Sequence, residues 1–444
     1  MLPKEFIERQ RRLLGDEFED FLSAYDRPRS TGLRLNPRKR TEPLPQFCGA
    51  PIPWAQNGYY LLPNVRPGLH PYHDAGVYYL QEPSAMAPAA LLDAQPGERV
   101  LDLCAAPGGK STQLAAAMQG RGLLVCNEIQ PKRARILSSN IERLGVTNAL
   151  VLNEHPAALA ARFPAYFDRI MVDAPCSGEG MFRKEEAALA DWSLEAVKMC
   201  AARQFEILCS AAQMLRAGGR LVYSTCTFAP EENEGVVSRF LKTHPDFSVV
   251  KVDAPWFSPG RPDWIDAPAN GLAATFRLWQ HRLHGEGQFA AVLERDGGSA
   301  REAAQERRTP LPAVISEFFD RLALPLRGET VSFGDTVWLV PQELPELKGL
   351  HVLRVGLELG EVRKGRFLPA HALALALPRC SASVSYPADS REIAAYLRGE
   401  TLSDSHTDWT LICVDGYPLG WAKGSGGVLK NHYPKGLRRT LPEN

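Results

Sequence analysis

Residues 99–128 read RVLDLCAAPGGKSTQLAAAMQGRGLLVCNE. The apolar run Arg99 to Leu103 reads as a strand that enters Cys104-Ala105-Ala106-Pro107-Gly108-Gly109-Lys110 and then a helix from about Ser111. A tight, Gly-containing turn at the carboxyl end of a first strand brings main-chain N–H groups and a helix N-terminus to a ligand, a nucleotide-class site. The stretch is neither GxGxxG nor GxxxxGK[ST], since no Gly stands at the upstream position the phosphate loop requires, so pyrophosphate binding is disfavoured. A second strand ends at Asn127-Glu128, about 20 residues after the loop, where an acid is placed to accept hydrogen bonds from a ribose diol. Loop and acid together suit a nucleoside without a phosphate chain, such as S-adenosyl-L-methionine.

Outward from this stretch the pattern repeats. Short apolar runs at Gly122 to Cys126, Ala149 to Leu152, Arg169 to Val172 and Arg220 to Tyr223 alternate with helical stretches such as Gln130 to Leu144 and Leu194 to Leu215, the signature of βαβ units on a parallel sheet. The fourth strand leads into Asp173-Ala174-Pro175-Cys176-Ser177-Gly178-Glu179-Gly180 and the fifth into Ser224-Thr225-Cys226-Thr227. Ligands gather at the carboxyl ends of such strands, so Cys176 and Cys226 are expected on exposed turns facing one cleft. Cys48, Cys126, Cys200, Cys209, Cys380 and Cys413 are read as small buried hydrophobes.

The 444 residues, 45% hydrophobic and 23% charged, are those of a multidomain globular chain. Lys plus Arg (51) balances Asp plus Glu (51), so any polyanion site must come from local charge. Nine cysteines without CxxC spacing argue against a disulfide framework or a zinc site, and no metal site is expected. With no signal-like segment and no long apolar run, a cytoplasmic protein with no membrane role is expected. Residues 4 to 25 read as one amphipathic helix. Asp296 to Pro312 is polar and Pro-bounded and reads as a linker, and short alternating runs beyond it, Thr336 to Val340 and Thr410 to Val414, suggest small α+β or β-rich modules. The segments expected are therefore 1–85, 86–294, a linker at 295–312, and 313–444 as a region of two small modules.

DLCAAPGGK (102–110), DAPCSGEG (173–180) and YSTCT (223–227), in this order, resemble the NOL1/NOP2/Sun family of RNA cytosine-5 methyltransferases, whose hallmark is a PC and a TC motif. The likeness spans Ala85 to Glu294. Thr31 to Pro37, Tyr78 to Ser84, Trp421 to Gly424 and Leu429 to Pro434 are similar to the bacterial RsmF-type branch acting on 16S rRNA. The resemblance implies a Rossmann-like α/β class I methyltransferase fold, with the methyltransferase domain over 86–294, an N-terminal α+β RNA-binding domain over 1–85 and PUA-like RNA-binding α+β modules in 313–444. It implies Cys226 as the nucleophile at carbon 6 of cytosine, Asp173 as an acid of raised pKa assisting nitrogen 3, and Cys176 in product release, with Lys110 orienting these groups or lowering a thiol pKa. Cofactor contacts carried over are Cys104 to Lys110, Glu128, Arg133 and Asp173. At Asn153-Glu154 the family commonly has an Asp near the adenine, so one of these two is expected there. Gln280 and Gln288 also depart from the family pattern and are expected to lie clear of the chemistry.

The target base must be flipped out or unpaired to reach Cys226. The basic stretch Arg27 to Arg40 and the C-terminal Lys430, His432, Tyr433, Lys435, Arg438 and Arg439 are the candidates for holding RNA. The partner implied is 16S rRNA or the 30S subunit, with no obligate protein partner. Competing readings are a non-catalytic RNA-binding assembly factor on the same fold, methylation of another RNA such as tRNA, and a small-molecule methyltransferase.

Overall fold

The structure, a computed structural model, describes residues 2–184, 186–297, 305–324, 326–377 and 383–441. Cys380 and residues 298–304 of the expected linker lie outside the described residues.

The N-terminus forms helices α1 (Lys4–Leu14) and α2 (Phe18–Ser23). The single helix expected over 4–25 is interrupted because Gly15 takes φ 55, a conformation that ends α1 and that a side chain would strain. Phe6, Phe18 and Phe21 from the two pieces pack against Phe182, Trp192, Phe228 and Trp279, directly behind the loops that carry the two candidate cysteines. Strands β1 (Gly32–Leu35), β2 (Cys48–Pro51), β3 (Gly58–Leu61) and β4 (Tyr78–Gln81) form an antiparallel sheet in the order β2-β3-β1-β4, with α3 (Pro71–Asp74) before β4.

After α4 (Ala87–Leu92) comes the central sheet. Its strands are β5 (Arg99–Asp102), β6 (Leu123–Asn127), β7 (Ala149–Leu152), β8 (Phe167–Asp173) and β9 (Leu215–Thr225), joined by α5 (Gly109–Met118), α6 (Pro131–Arg143), α7 (Pro156–Arg162), α8 (Glu186–Asp191) and α9 (Leu194–Met214). Pairing runs β7-β6-β5-β8-β9, all parallel. These strands read as continuous apolar runs because both faces are covered: Val100, Leu124, Val151 and Val222 face the α4–α6 side, while Leu101, Val125, Leu150 and Tyr223 face the α7 and α9 side. After α10 (Glu234–Thr243) the chain adds β10 (Phe247–Val249), β11 (Ser258–Pro259), β12 (Phe276–Leu278) and β13 (Gln288–Arg295), the last antiparallel to β9. The strand order reverses between β5 and β8, so the crevice outside their carboxyl ends is where a ligand is expected.

The C-terminal region holds two five-stranded sheets, the first from Thr309 to Pro369 and the second from Ser383 to Asn431. One strand leaves it: Val352–Val355 pairs antiparallel with β7 and extends the central sheet. The N-terminal sheet and the last module share a core in which Leu33, Leu35 and Tyr78 meet Tyr396, Leu419 and Tyr433.

This packing corrects part of the RNA-contact expectation. Arg34 is 3% exposed and donates to Thr112 Oγ1 at 2.8 Å and to the Gly109 carbonyl at 3.0 Å, tying β1 to the first turn of α5. Lys39 donates to the Ala75 carbonyl, and Arg40 to Tyr417 of the last module. Tyr433 is buried, and Arg439 pairs with Asp74 at 2.5 Å, joining the last module to the N-terminal domain. Arg34, Arg40 and Arg439 join the N-terminal domain to its neighbours, and Arg34 and Lys39 find the fixed acceptors that burial of a cation requires. Arg27, Arg29, Lys430, Lys435 and Arg438 remain exposed.

Replacing Arg34 with Ala removes several charge-assisted bonds from the interior and is expected to lower stability by about 2 kcal/mol. The urea midpoint should fall while the salt dependence of RNA binding stays the same; an unmoved midpoint with weakened RNA binding would return Arg34 to the RNA surface.

Candidate active site

The loop after β5 is built around Gly108, which has φ 112 and whose added Cβ would lie 3.3 Å from Leu137 and 3.4 Å from Asn140. Only glycine combines that backbone with that approach, and α5 starts at the next residue. The loop is held from α6: Arg133 Nη2 donates to the Ala106 carbonyl at 2.8 Å and Asn140 Nδ2 to the Pro107 carbonyl at 2.9 Å. Beneath it, buried Asp102 accepts from Ser111 Oγ at 2.6 Å through one oxygen, while its Oδ1 has no hydrogen-bond partner. Glu128, 4% exposed at the end of β6, faces Arg133 at 3.5 Å and accepts from the Gln130 N–H at 2.9 Å.

A cavity of about 1080 Å³ opens between this loop and α9. Of the expected residues, Cys104, Ala106, Glu128, Arg133, Asp173, Cys176 and Cys226 line it. Ala105, Pro107, Gly108, Gly109 and Lys110 do not line it. Asn153 uses its amide to donate to the carbonyls of Glu128 and Ile129, at 2.7 and 2.9 Å. Glu154 accepts from the His351 N–H and Nδ1, at 2.7 and 2.9 Å. Neither lines the cavity, whose wall at that end is Ile129, His155, Pro156 and Ala157.

Three carboxylates, Asp102, Glu128 and Asp173, act on one another across the loop, and burial pushes Asp102 up to about 7. The acids Glu128 and Asp173 on the cavity wall, with apolar Leu103, Ile129 and Pro156, suit a ligand with a cationic end and a flat apolar end. S-adenosyl-L-methionine, which carries a sulfonium, an ammonium and an adenine, fits that donor and acceptor set. Cys104, also pushed up by burial, is a neutral thiol.

The chemistry-bearing groups meet because β8 and β9 pair in parallel with Asp173 opposite Ser224. Asp173 Oδ2 accepts from Lys110 Nζ at 2.7 Å, and Oδ1 accepts from Ser224 Oγ at 2.7 Å and from Gln288 Nε2 at 3.4 Å. The expectation that Gln288 lies clear of the chemistry is thus corrected: β13 returns antiparallel to β9 and places it on the Asp173 carboxylate. Gln280, by contrast, is buried against α2, donating to the Phe21 carbonyl at 3.4 Å. Lys110 is 11% exposed; burial alone would lower its pKa, but the charge and hydrogen bond of Asp173 outweigh this and raise it. It is therefore an ammonium.

Cys176 Sγ and Cys226 Sγ lie 3.3 Å apart. The hydrogen bond to Cys226, then burial, hold the Cys176 thiol well above its ordinary range, so Cys176 keeps its proton; either sulfur can donate in the contact between them. Ser177, Thr227, Gln204 and Glu232 pack around the pair and hold its loops; the sequence reading gives none of them a role, and Glu232 stands in an acid run, Glu231-Glu232-Asn233-Glu234, with no local sign of burial.

Family models match in tandem along the chain: the N-terminal domain of 16S rRNA methyltransferase RsmF over residues 2–83, 16S rRNA methyltransferase RsmB/F over 89–294, the RsmF rRNA methyltransferase first C-terminal domain over 317–377 and the methyltransferase RsmF PUA domain over 383–439. The ribosomal RNA small subunit methyltransferase F of Erwinia tasmaniensis is 32% identical over 470 residues, covering 98% of this chain and 97% of the relative. The chain belongs to the RsmB/F family of 16S rRNA methyltransferases. The Vibrio cholerae ribosomal RNA small subunit methyltransferase F is 30% identical, with 99% and 98% covered. A crystal structure of a methyltransferase homolog protein from Pyrococcus horikoshii is 29% identical, with a TM-score of 0.59 over 66% of this chain and 95% of that one. NSun6 from Pyrococcus horikoshii with SFG shares the fold at 21% identity and a TM-score of 0.54, over 67% of this chain and 99% of that one.

This RsmB/F member is an RNA methyltransferase whose methyl donor is S-adenosyl-L-methionine and whose partner is RNA. Among the described residues no helix is long and apolar enough to cross a membrane, and no cluster of His, Cys, Asp and Glu could hold a metal ion.

Because Asp102 holds its proton more tightly folded, near 7, than at its ordinary value of 3.8, its favourable contribution is complete below about 4 and lost as pH rises through about 7. Urea midpoints at pH 5 and pH 8 should therefore fall with pH in the native protein and fall less in Asp102→Asn; parallel lines for the two proteins would contradict the assignment.

Proposed function

We propose that this RsmB/F methyltransferase methylates carbon 5 of an unpaired or flipped cytosine in 16S rRNA, presented either as naked RNA or within the 30S subunit. The observation that carries the reading is the pair of thiols at 3.3 Å beside the Lys110–Asp173 ion pair. Carbon 5 of cytosine is a poor nucleophile until a thiolate adds to carbon 6. Cys226, accepting the Cys176 S–H, enters as that thiolate.

As the C6–S bond forms, negative charge develops on the ring. Asp173, with three donors on its carboxyl, is an acceptor rather than the free acid expected; it holds the Lys110 ammonium, and that pair supplies the proton to nitrogen 3. Bound S-adenosyl-L-methionine supplies the electrophilic methyl that carbon 5 then takes. Afterwards the carbon 5 proton is lost to solvent water, the C6–S bond breaks, Cys226 returns as the thiolate and the nitrogen 3 proton returns to Lys110. The Cys176 S–H, aimed at that sulfur, stabilises the thiolate as it leaves. Two thiols this close would oxidise readily outside a reducing compartment, which supports a cytoplasmic protein.

Cys176→Ala, given RNA and cofactor, should accumulate a protein–RNA adduct that survives denaturing electrophoresis, whereas Cys226→Ala should form none and transfer no methyl. Label from S-adenosyl-L-methionine, mapped by bisulfite sequencing on naked 16S rRNA and on 30S subunits, should appear at a discrete cytosine; adduct in neither cysteine variant and label at no cytosine would defeat the reading.

For RNA holding, Lys430 and Lys435 of the PUA domain are exposed and, among the described residues, make no interdomain bond. Changing both to Ala should make the slope of log affinity against log salt shallower by about 1.4 if each meets one single-stranded phosphate. Filter binding across a salt series measures this, and an unchanged slope would move RNA contact elsewhere.

A further inference from the structure

Two consecutive residues outside the reacting set, Glu232 and Asn233, each grip one of the two cysteine loops. Both are fully buried where the chain enters α10. The Glu232 carboxylate accepts from the Ser177 N–H at 3.0 Å and from Ser177 Oγ, just after Cys176. It also accepts from Gln204 Nε2 at 2.7 Å, and that same amide donates to the Pro175 carbonyl at 3.0 Å, just before Cys176. Cys176 is thus bracketed on both sides by groups answering to one carboxylate.

Asn233 does the same for Cys226. Its Oδ1 accepts from Thr225 Oγ1 at 2.6 Å and its Nδ2 donates to the Thr227 carbonyl at 2.9 Å, the residues immediately before and after Cys226. The two brackets are joined by the hydroxyls of Ser177 and Thr227, 2.8 Å apart. The backbone of Glu232 is itself fixed, since the buried Tyr223 hydroxyl donates to its carbonyl at 2.6 Å. Neither Glu232, Asn233 nor Thr227 lines the cavity where cofactor and base would sit.

We infer that Glu232 and Asn233, through Ser177 and Thr227, act as a calliper that sets the separation of the two cysteine sulfurs, and that this separation governs how fast the methylated RNA is released from Cys226. The inference rests on the proposed roles of Cys226 and Cys176. Addition of Cys226 to carbon 6 needs one sulfur and the ring; expulsion also needs the Cys176 S–H within hydrogen-bond reach of the departing sulfur. Loosening the calliper should therefore slow the later step more than the earlier one, because a displacement of well under an ångström suffices to weaken a thiol hydrogen bond.

The test compares the full-length native protein with Thr227→Val, Thr227→Ser, Glu232→Gln and Cys176→Ala, measuring methyl transfer to 16S rRNA and the fraction of enzyme held as a denaturation-resistant RNA adduct at steady state. Thr227→Val removes the joining hydroxyl at constant volume. Glu232→Gln places an amide donor against the donors of Ser177 and Gln204. Both are expected to lower kcat about tenfold, to leave KM for RNA and cofactor within about twofold, and to raise the adduct fraction severalfold, toward that of Cys176→Ala. Thr227→Ser, which keeps the hydroxyl, is expected to restore both readings.

A residue that merely supports the fold would instead lower adduct and turnover together and weaken cofactor binding. That result in Thr227→Val and Glu232→Gln, or adduct fractions in both equal to the native one, would overturn the calliper while Cys176→Ala still traps RNA. If Cys176→Ala traps none, the proposed chemistry fails first and the calliper with it.

Discussion

The parallel pairing of β8 with β9, in a register that sets Asp173 opposite Ser224, is the constraint on which the site depends. Side chains at paired positions of parallel neighbours emerge on the same side, so the hydroxyl of one strand end meets the carboxylate of the other without any loop having to find it. Beyond these ends the two chains leave the sheet in step, and within three residues each presents a sulfur. A slip of one residue in this ladder would turn Asp173 to the opposite face and separate the sulfurs. The burial of both faces of the sheet is what forbids the slip: Ile170, Met171, Leu221 and Val222 have no exposure to trade.

The flanking domains are structural partners of this centre. Helices α1 and α2 press an aromatic cluster against the cysteine loops, and buried Arg9 reaches from α1 to Glu179, whose carboxylate also accepts from Trp192 Nε1 and the Phe228 N–H. Arg34 clasps the start of α5, and Asn36 donates to the Leu144 carbonyl at the end of α6. A charge run can therefore be interdomain mortar, and global neutrality of the chain is no guide to where its cations are spent.

What was legible in the sequence follows physical cause. The strands of the central sheet were readable because two-sided burial writes a continuous apolar run, and the cofactor loop because Gly108 occupies a backbone conformation other residues avoid. Cys176 and Cys226 were readable because each follows a strand end closely enough for topology to place it. Gln288 was not, because its approach to Asp173 depends on β13 folding back antiparallel, a long-range pairing with no local signal. Glu232 was not legible because nothing in an acid run shows that Ser177 and Gln204 will arrive to satisfy it. Arg34 and Arg439 looked free for the same reason: their partners lie in other domains. The helix expected over 4–25 failed at one residue, Gly15, where periodicity continues but the backbone turns.

The strand Val352–Val355, lent by the C-terminal region to the edge of β7, gives the molecule a property its domain sequence conceals. An unpaired edge is a row of open hydrogen-bonding groups that invites other chains. Here that row is closed by a segment lying far beyond the catalytic domain, and the residue before it, His351, is bonded to Glu154 just past the end of β7. The catalytic domain is thus not a portable cassette: as the chain leaves the ribosome during its own synthesis, the sheet edge stays bare until this late segment emerges, so the interval between making the active site and sealing the sheet is written into the order of the chain.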